Sequence, residues 1–166
     1  MLSVIEKWVI RLTEALNWIA AAAVALMTIV TCADILLRLI RRPIPGSYEI
    51  VGLLGAVFVS FSLAYTSLKR GHIVVDFLVA KLSKRGQTIF EITNASVCSL
   101  FFAIVTRQCL LYAASMRSAG EVSMTLQLPI YPFIYGIALG CASLSAVLLL
   151  RFLQALALFS KTAERL

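Results

Sequence analysis

The sequence predicts an all-α integral membrane protein: four tilted transmembrane helices with short interfacial amphipathic helices. Three observations lead there. First, four apolar runs follow one another within 166 residues, over 15–37, 49–68, 89–116 and 129–150. A helix rises about 1.5 Å per residue, so about 20 apolar residues match a hydrocarbon core of about 30 Å. Second, the chain is 61% hydrophobic and 14% charged, with a mean hydropathy of +0.95, whereas soluble domains carry about 25% charged residues. Third, the charges flank the apolar runs. No Pro/Gly/Ser-rich linker and no internal repeat divides the chain, so residues 1–166 read as a single membrane domain.

The net charge of +7 is not a nucleic-acid footprint, because the cations form no single basic face. The N-terminus (Lys7, Arg11), the second loop (Lys69, Arg70, Lys81, Lys84, Arg85) and the C-terminus (Arg151, Lys161, Arg165) hold more cations than the first and third loops (Arg38, Arg41, Arg42, Arg117). With four spans the richer set falls on one side, and the positive-inside rule places both termini in the cytoplasm. The first run is too long for the roughly 7–15-residue core of a cleaved signal, and is read as a retained span.

The stretch 3–14 is amphipathic. Val4, Ile5, Trp8, Val9 and Leu12 recur at helical spacing, which predicts an interfacial helix leading into the first span. Asp34 and Arg38, four apart near the end of that span, share a face and are expected to form a structural ion pair. The competing reading makes Asp34 a proton-relay carboxylate. Pro43, Pro45 and Gly46 then predict a tight turn, with Ser47 as N-cap of the second span and Glu49 in its first turn, where the helix dipole favours an anion. Gly52, Ala56, Ser60 and Ala64 fall at steps of four on the second span, and Gly136 and Gly140 form a Gly-x-x-x-Gly pair on the fourth. Small residues at that spacing let helix backbones approach closely.

The second loop carries the only histidine, His72, in the stretch Gly71-His72-Ile73-Val74-Val75-Asp76. A lone histidine without cysteine neighbours reads as a loop residue rather than a metal ligand. A second amphipathic helix is expected over 76–85, where Lys81, Lys84 and Arg85 would meet anionic lipids. On the third span Glu91, Ala95, Ser99, Ala103 and Arg107 are four apart. That row drifts about 40° per step, so Glu91 and Arg107 point about 160° apart and lie about 24 Å apart along the axis. They cannot pair, and each needs another partner or must snorkel to an interface. Pro129 and Pro132 suit the start of the last helix.

Cys32, Cys98, Cys109 and Cys141 all lie in apolar runs without a Cys-x-x-Cys spacing, and read as small hydrophobes. The sequence holds no Ser/His/Asp grouping, no carboxylate pair on a common face, no Walker motif and no dinucleotide fingerprint. The expectation is therefore a non-enzymatic chain that binds no cofactor and works with a companion subunit.

Three segments carry a family resemblance. Arg41-Arg42-Pro43-Ile44-Pro45-Gly46-Ser47-Tyr48-Glu49, Gly71-His72-Ile73-Val74-Val75-Asp76 and Gly120-Glu121-Val122-Ser123 with Leu126 and Pro129 resemble, in this order, segments of the DctQ-type small membrane subunit of tripartite ATP-independent periplasmic (TRAP) transporters. The second segment has one residue fewer between Gly71 and His72 than that family's Gly-x-His-Ile-x-Val-Asp pattern. The resemblance implies a non-catalytic scaffold in the bacterial inner membrane. Its partners would be a large polytopic membrane subunit, which holds the sodium ions and the solute, and a transient periplasmic binding protein. The implied solutes are acidic, of the C4-dicarboxylate or sialic acid class, with sodium symport as the driving force. Arg41, Arg42, Glu49, Glu121 and Ser123 then become candidate contacts to the large subunit or the binding protein. His72 and Asp76 become candidates for ordering the inner loop, and Gly52, Ala56, Ser60, Gly136 and Gly140 for helix packing. The alternative reading is a small homo-oligomeric four-helix exporter that uses Asp34.

Overall fold

A computed structural model describes residues 2–69 and 84–163. It consists of four helices: α1 (Leu2–Leu39), α2 (Ser47–Leu68), α3 (Lys84–Ala119) and α4 (Tyr131–Ala163). Each is long and apolar enough to cross a membrane, over Glu6–Leu39, Ser47–Leu68, Ile89–Ala119 and Tyr131–Leu156. The only other pairing among the described residues is an isolated antiparallel bridge between Val122 and Pro129. The helices run up and down, so both chain ends share one end of the structure (the terminal end) and the short connections after α1 and α3 share the other (the loop end).

The observed spans exceed the predicted ones, most of all at the terminal end. The amphipathic stretch 3–14 is not a separate interfacial helix. It is continuous with the first span in α1. Nothing in 2–39 would break the helix, since that segment has neither Gly nor Pro. Within the stretch Thr13 is buried while Trp8 and Leu12 are exposed, and Glu6 Oε1 accepts a hydrogen bond from Gln154 Nε2 of α4 at 3.1 Å. The residues expected to form a second amphipathic helix, together with His72 and Asp76, lie outside the described residues, except that Lys84 and Arg85 open α3.

In space the order is α1–α2–α4–α3. Helix α4 is the most buried and α3 the least. Among the described residues α3 touches α4 alone, and α1 reaches α4 only lightly beside α2. The bundle is therefore open. Its interior is built from small residues, among them Ala20, Ala64, Ala95, Ala113, Ala138, Ala155, Ser60, Ser99 and Ser143. Small side chains are what allow helices to approach closely in lipid, where apolar burial gives no preference for protein over acyl chain.

The closest approach joins α2 to α4. A Cβ on Gly140 would stand 2.7 Å from the Ser60 carbonyl carbon and oxygen, so only glycine fits. Gly136, one turn away, faces Val57 and Phe61 at ordinary contact distance. Helix α3 is joined to α4 by a reciprocal pair: Ser99 Oγ donates to the Ser145 carbonyl at 3.2 Å, and Ser145 Oγ donates to the Ser99 carbonyl at 3.0 Å. Of the expected packing residues, Gly52 stands apart, with nothing within 4 Å of where its Cβ would be. Residues four apart drift about 40° per step, which turns Gly52 about 80° away from Ser60.

Gly140→Leu is expected to force α2 and α4 apart and destabilise the chain by about 1–3 kcal/mol, the range for overpacking a fitted site. Gly52→Ala is expected to be neutral or to stabilise by up to ~1 kcal/mol, through helix propensity alone. Thermal unfolding of both variants in the same detergent separates the two effects.

Candidate functional site

At the loop end, two carboxylates each hold a loop. Asp34, buried near the end of α1, accepts Arg38 Nε at 2.8 Å and the Ile44 backbone N–H at 2.8 Å. The ion pair between Asp34 and Arg38 thus exists in the structure, and the same carboxylate also fastens the 40–46 turn. The Arg38 guanidinium lies over the Tyr48 ring at 5.6 Å from the centroid, a cation–π contact. Arg41 has a φ of 58° and Gly46 a φ of 72°, both left-handed, so the turn reverses within a few residues. Ser47 is not the N-cap of α2. That position is taken by Gly46, which makes no side-chain cap; its carbonyl accepts from Glu49 and Ile50 N–H at 3.0 and 3.1 Å. Ser47 is instead the first helical residue and is buried.

Glu49 does the same work on the other loop. Its carboxylate accepts the Thr125 N–H at 2.8 Å and the Leu126 N–H at 3.1 Å. Leu126 in turn covers Gly46: a Cβ there would meet Leu126 Cδ1 at 2.7 Å, which adds a steric reason for glycine to the positive φ. The 120–130 loop closes on itself through Ser123. Its N–H donates to the Leu128 carbonyl at 2.9 Å, its hydroxyl accepts the Leu128 N–H at 3.3 Å, and its carbonyl accepts the Gln127 N–H at 3.2 Å. Helix α4 then starts at Tyr131 with Pro132 in its first turn, while Pro129 stays in the loop, paired with Val122.

The expected contact residues therefore divide. Glu49 is half-buried and Ser123 buried, and both are used inside the protein to shape the loop. Arg41, Arg42 and Glu121 are exposed. Two exposed residues that the sequence reading did not single out join them: Tyr48 and Met124, the latter 99% exposed. These exposed residues, two arginines, one carboxylate, a tyrosine and a methionine, stand on the loops that Asp34 and Glu49 hold and on the first turn of α2.

At the terminal end, Arg151 of α4 donates to the Ser67 carbonyl and, at 3.2 Å, to the Leu68 carbonyl, and so caps the last turn of α2. Two cavities flank it. One, of about 110 Å³, is lined by Glu91, Asn94, Leu148 and Gln154 among others. The other, of about 190 Å³, is lined by Glu6, Ile10, Leu68, Val147 and Gln154. No group of three or more His, Cys, Asp or Glu that could hold a metal ion occurs among the described residues.

Removing the Glu49 carboxylate should free the 120–130 loop without unfolding the helices. Hydrogen bonds to a charged acceptor contribute about 1.5–3 kcal/mol each, so Glu49→Ala is expected to speed amide exchange at Thr125 and Leu126 by roughly 10- to 100-fold. Hydrogen–deuterium exchange with peptide readout over 120–130 measures this, and unchanged exchange within α2 and α4 is the control.

Residues 27–158 match the family model for the DctQ component of tripartite ATP-independent periplasmic transporters. No curated protein and no solved structure matches the chain.

Proposed function

The chain belongs to the DctQ family, the small membrane component of TRAP transporters, and from that premise we propose that it is the scaffold subunit of a sodium-coupled uptake system for acidic organic solutes. Solutes of the C4-dicarboxylate or sialic acid class would be carried by a large polytopic subunit, which also holds the sodium ions. A periplasmic binding protein would deliver them. The chain itself would hold neither solute nor ion, and would catalyse no reaction. Its loop end would face the periplasm and both termini the cytoplasm of a bacterial inner membrane. Cations at the terminal end, such as Lys69, would rest on anionic lipid head groups.

The observation that carries this reading is the open bundle. Helix α3 meets α4 alone among the described helices, so the chain has helix faces to offer another membrane protein. The loop face supports a docking role for Arg41, Arg42, Glu121, Tyr48 and Met124, because the loops behind them are fixed by Asp34 and Glu49. The exporter reading has less support: the Asp34 carboxylate is occupied by Arg38 and the Ile44 N–H, at the end of α1.

A mild-detergent pull-down of tagged chain from its native membranes is expected to retain a stoichiometric large polytopic protein. Recovery of the chain alone or of its own copies would overturn the proposal. Asp34→Asn is expected to reduce assembly by about two- to fivefold, equivalent to ~0.5–1 kcal/mol for one weakened set of hydrogen bonds. Uptake per assembled complex should be unchanged. Loss of all transport by a fully assembled Asp34→Asn complex would favour the exporter reading.

A further inference from the structure

Arg107 is a charge on the bundle that nothing among the described residues uses. Arg107 is exposed on α3, and among the described residues no hydrogen bond, ion pair or ring contact involves it. Its depth follows from the helix registers. Ser99 of α3 is level with Ser145 of α4. Arg107 lies about 12 Å from Ser99 toward the loop end, which brings it level with Ile137. Ile137 adjoins Gly136, which faces Val57 of α2. Helix α2 spans Ser47–Leu68, about the thickness of a hydrocarbon core, and Val57 stands within about 2 Å of its middle. Arg107 is therefore at mid-height, roughly 15 Å from either end of α2.

It also points away from the protein. Ala95, Ser99 and Ala113 mark the buried, α4-facing side of α3, and Arg107 is turned about 80–120° from that row. Its neighbours on the outward side are Leu100, Ile104 and Leu111, all more than half exposed. An arginine stem reaches about 7 Å, half the distance to either end, so snorkelling does not bring the guanidinium to water. A mid-height charge facing lipid is costly, and intramembrane arginines accordingly face protein or water and find a partner.

The described residues of the chain have no such partner to give, and neither have those of a second copy. Copies in one membrane share orientation, so their carboxylates lie at the same depths. Met27 of α1 is level with Gly55 of α2. That register puts Asp34 and Glu49 about 12–13 Å nearer the loop end than Arg107, and Glu14 about 16 Å nearer the terminal end. Glu91 is about 24 Å away along α3. Asp34 and Glu49 are moreover already engaged.

We propose that the outward side of α3 around Arg107 is the seam along which a different membrane protein joins this chain, and that a carboxylate on a transmembrane segment of that protein meets Arg107 at mid-membrane. The proposal rests on the subunit reading above and assigns it a face and a charge.

The test is photo-crosslinking in native membranes, with benzoylphenylalanine at position 104, one turn from Arg107. The expected result is an adduct with a much larger polytopic protein, mapping within one turn of an Asp or Glu. Arg107→Gln should lower the adduct yield at least tenfold while leaving the chain's own thermal unfolding unchanged. Reversing both charges, Arg107→Glu with Arg at the mapped carboxylate, should restore it. If position 104 labels only lipid or a second copy while the large protein still co-purifies, the seam assignment is overturned and the subunit reading stands. If nothing co-purifies, both are overturned. An adduct undiminished by Arg107→Gln overturns the role of the charge.

Discussion

The van der Waals contact between Ser60 and Gly140 sets the register on which the rest of the bundle depends. Helices α2 and α4 meet there backbone against backbone, with no room for a single extra carbon. That register brings Glu49, near one end of α2, opposite the Thr125 and Leu126 amides that precede α4. It also brings Arg151 of α4 opposite the last carbonyls of α2. Each polar contact needs the other helix at the right height, and a slip of one turn, about 5.4 Å, would break both. A weak, non-directional contact thus places two strong, directional ones.

The two ends solve the same problem with opposite charges. The orphan amides here belong to the 40–46 and 120–130 loops and are taken by Asp34 and Glu49; the orphan carbonyls at the end of α2 are taken by an arginine. A backbone group left without a partner near a bilayer core costs several kcal/mol, so none of these side chains is a free recognition element. What remains available for recognition stands in front of them, at Arg41, Arg42, Tyr48, Glu121 and Met124. The loops are held from behind and present their other side.

The spans and the Asp34–Arg38 pair were readable in the sequence because both are local: apolar length in one case, a spacing of four on a helix in the other. The partners of Glu49 were not, since its donors are backbone amides far along the chain and carry no side-chain signature. Ser47 looked like an N-cap by residue type, but the left-handed φ of Gly46 and the burial of Ser47 place the cap one residue earlier. The step-of-four stripe on α2 drifts around the helix, so that Ser60 meets Gly140 while a Cβ on Gly52 would have nothing within 4 Å. The stretch 3–14 has the pattern of an interfacial helix, and only the absence of a breaker and the Glu6–Gln154 contact show that it continues α1. Arg107 was legible as a charge without a local mate, whereas its depth required the Ser99–Ser145 and Gly136–Val57 registers.

Helix α1 has 38 residues and α2 has 22, so they are about 57 and 33 Å long. A short turn joins them at the loop end, and with Met27 level with Gly55 most of the difference, about 18 Å, emerges at the other. Unbroken by Gly or Pro, α1 has no hinge along this length. The protruding arm, where Trp8 and Arg11 are exposed and Glu6 is bonded to α4, thus belongs to the same continuous helix as Asp34 and the turn it holds, at the far end.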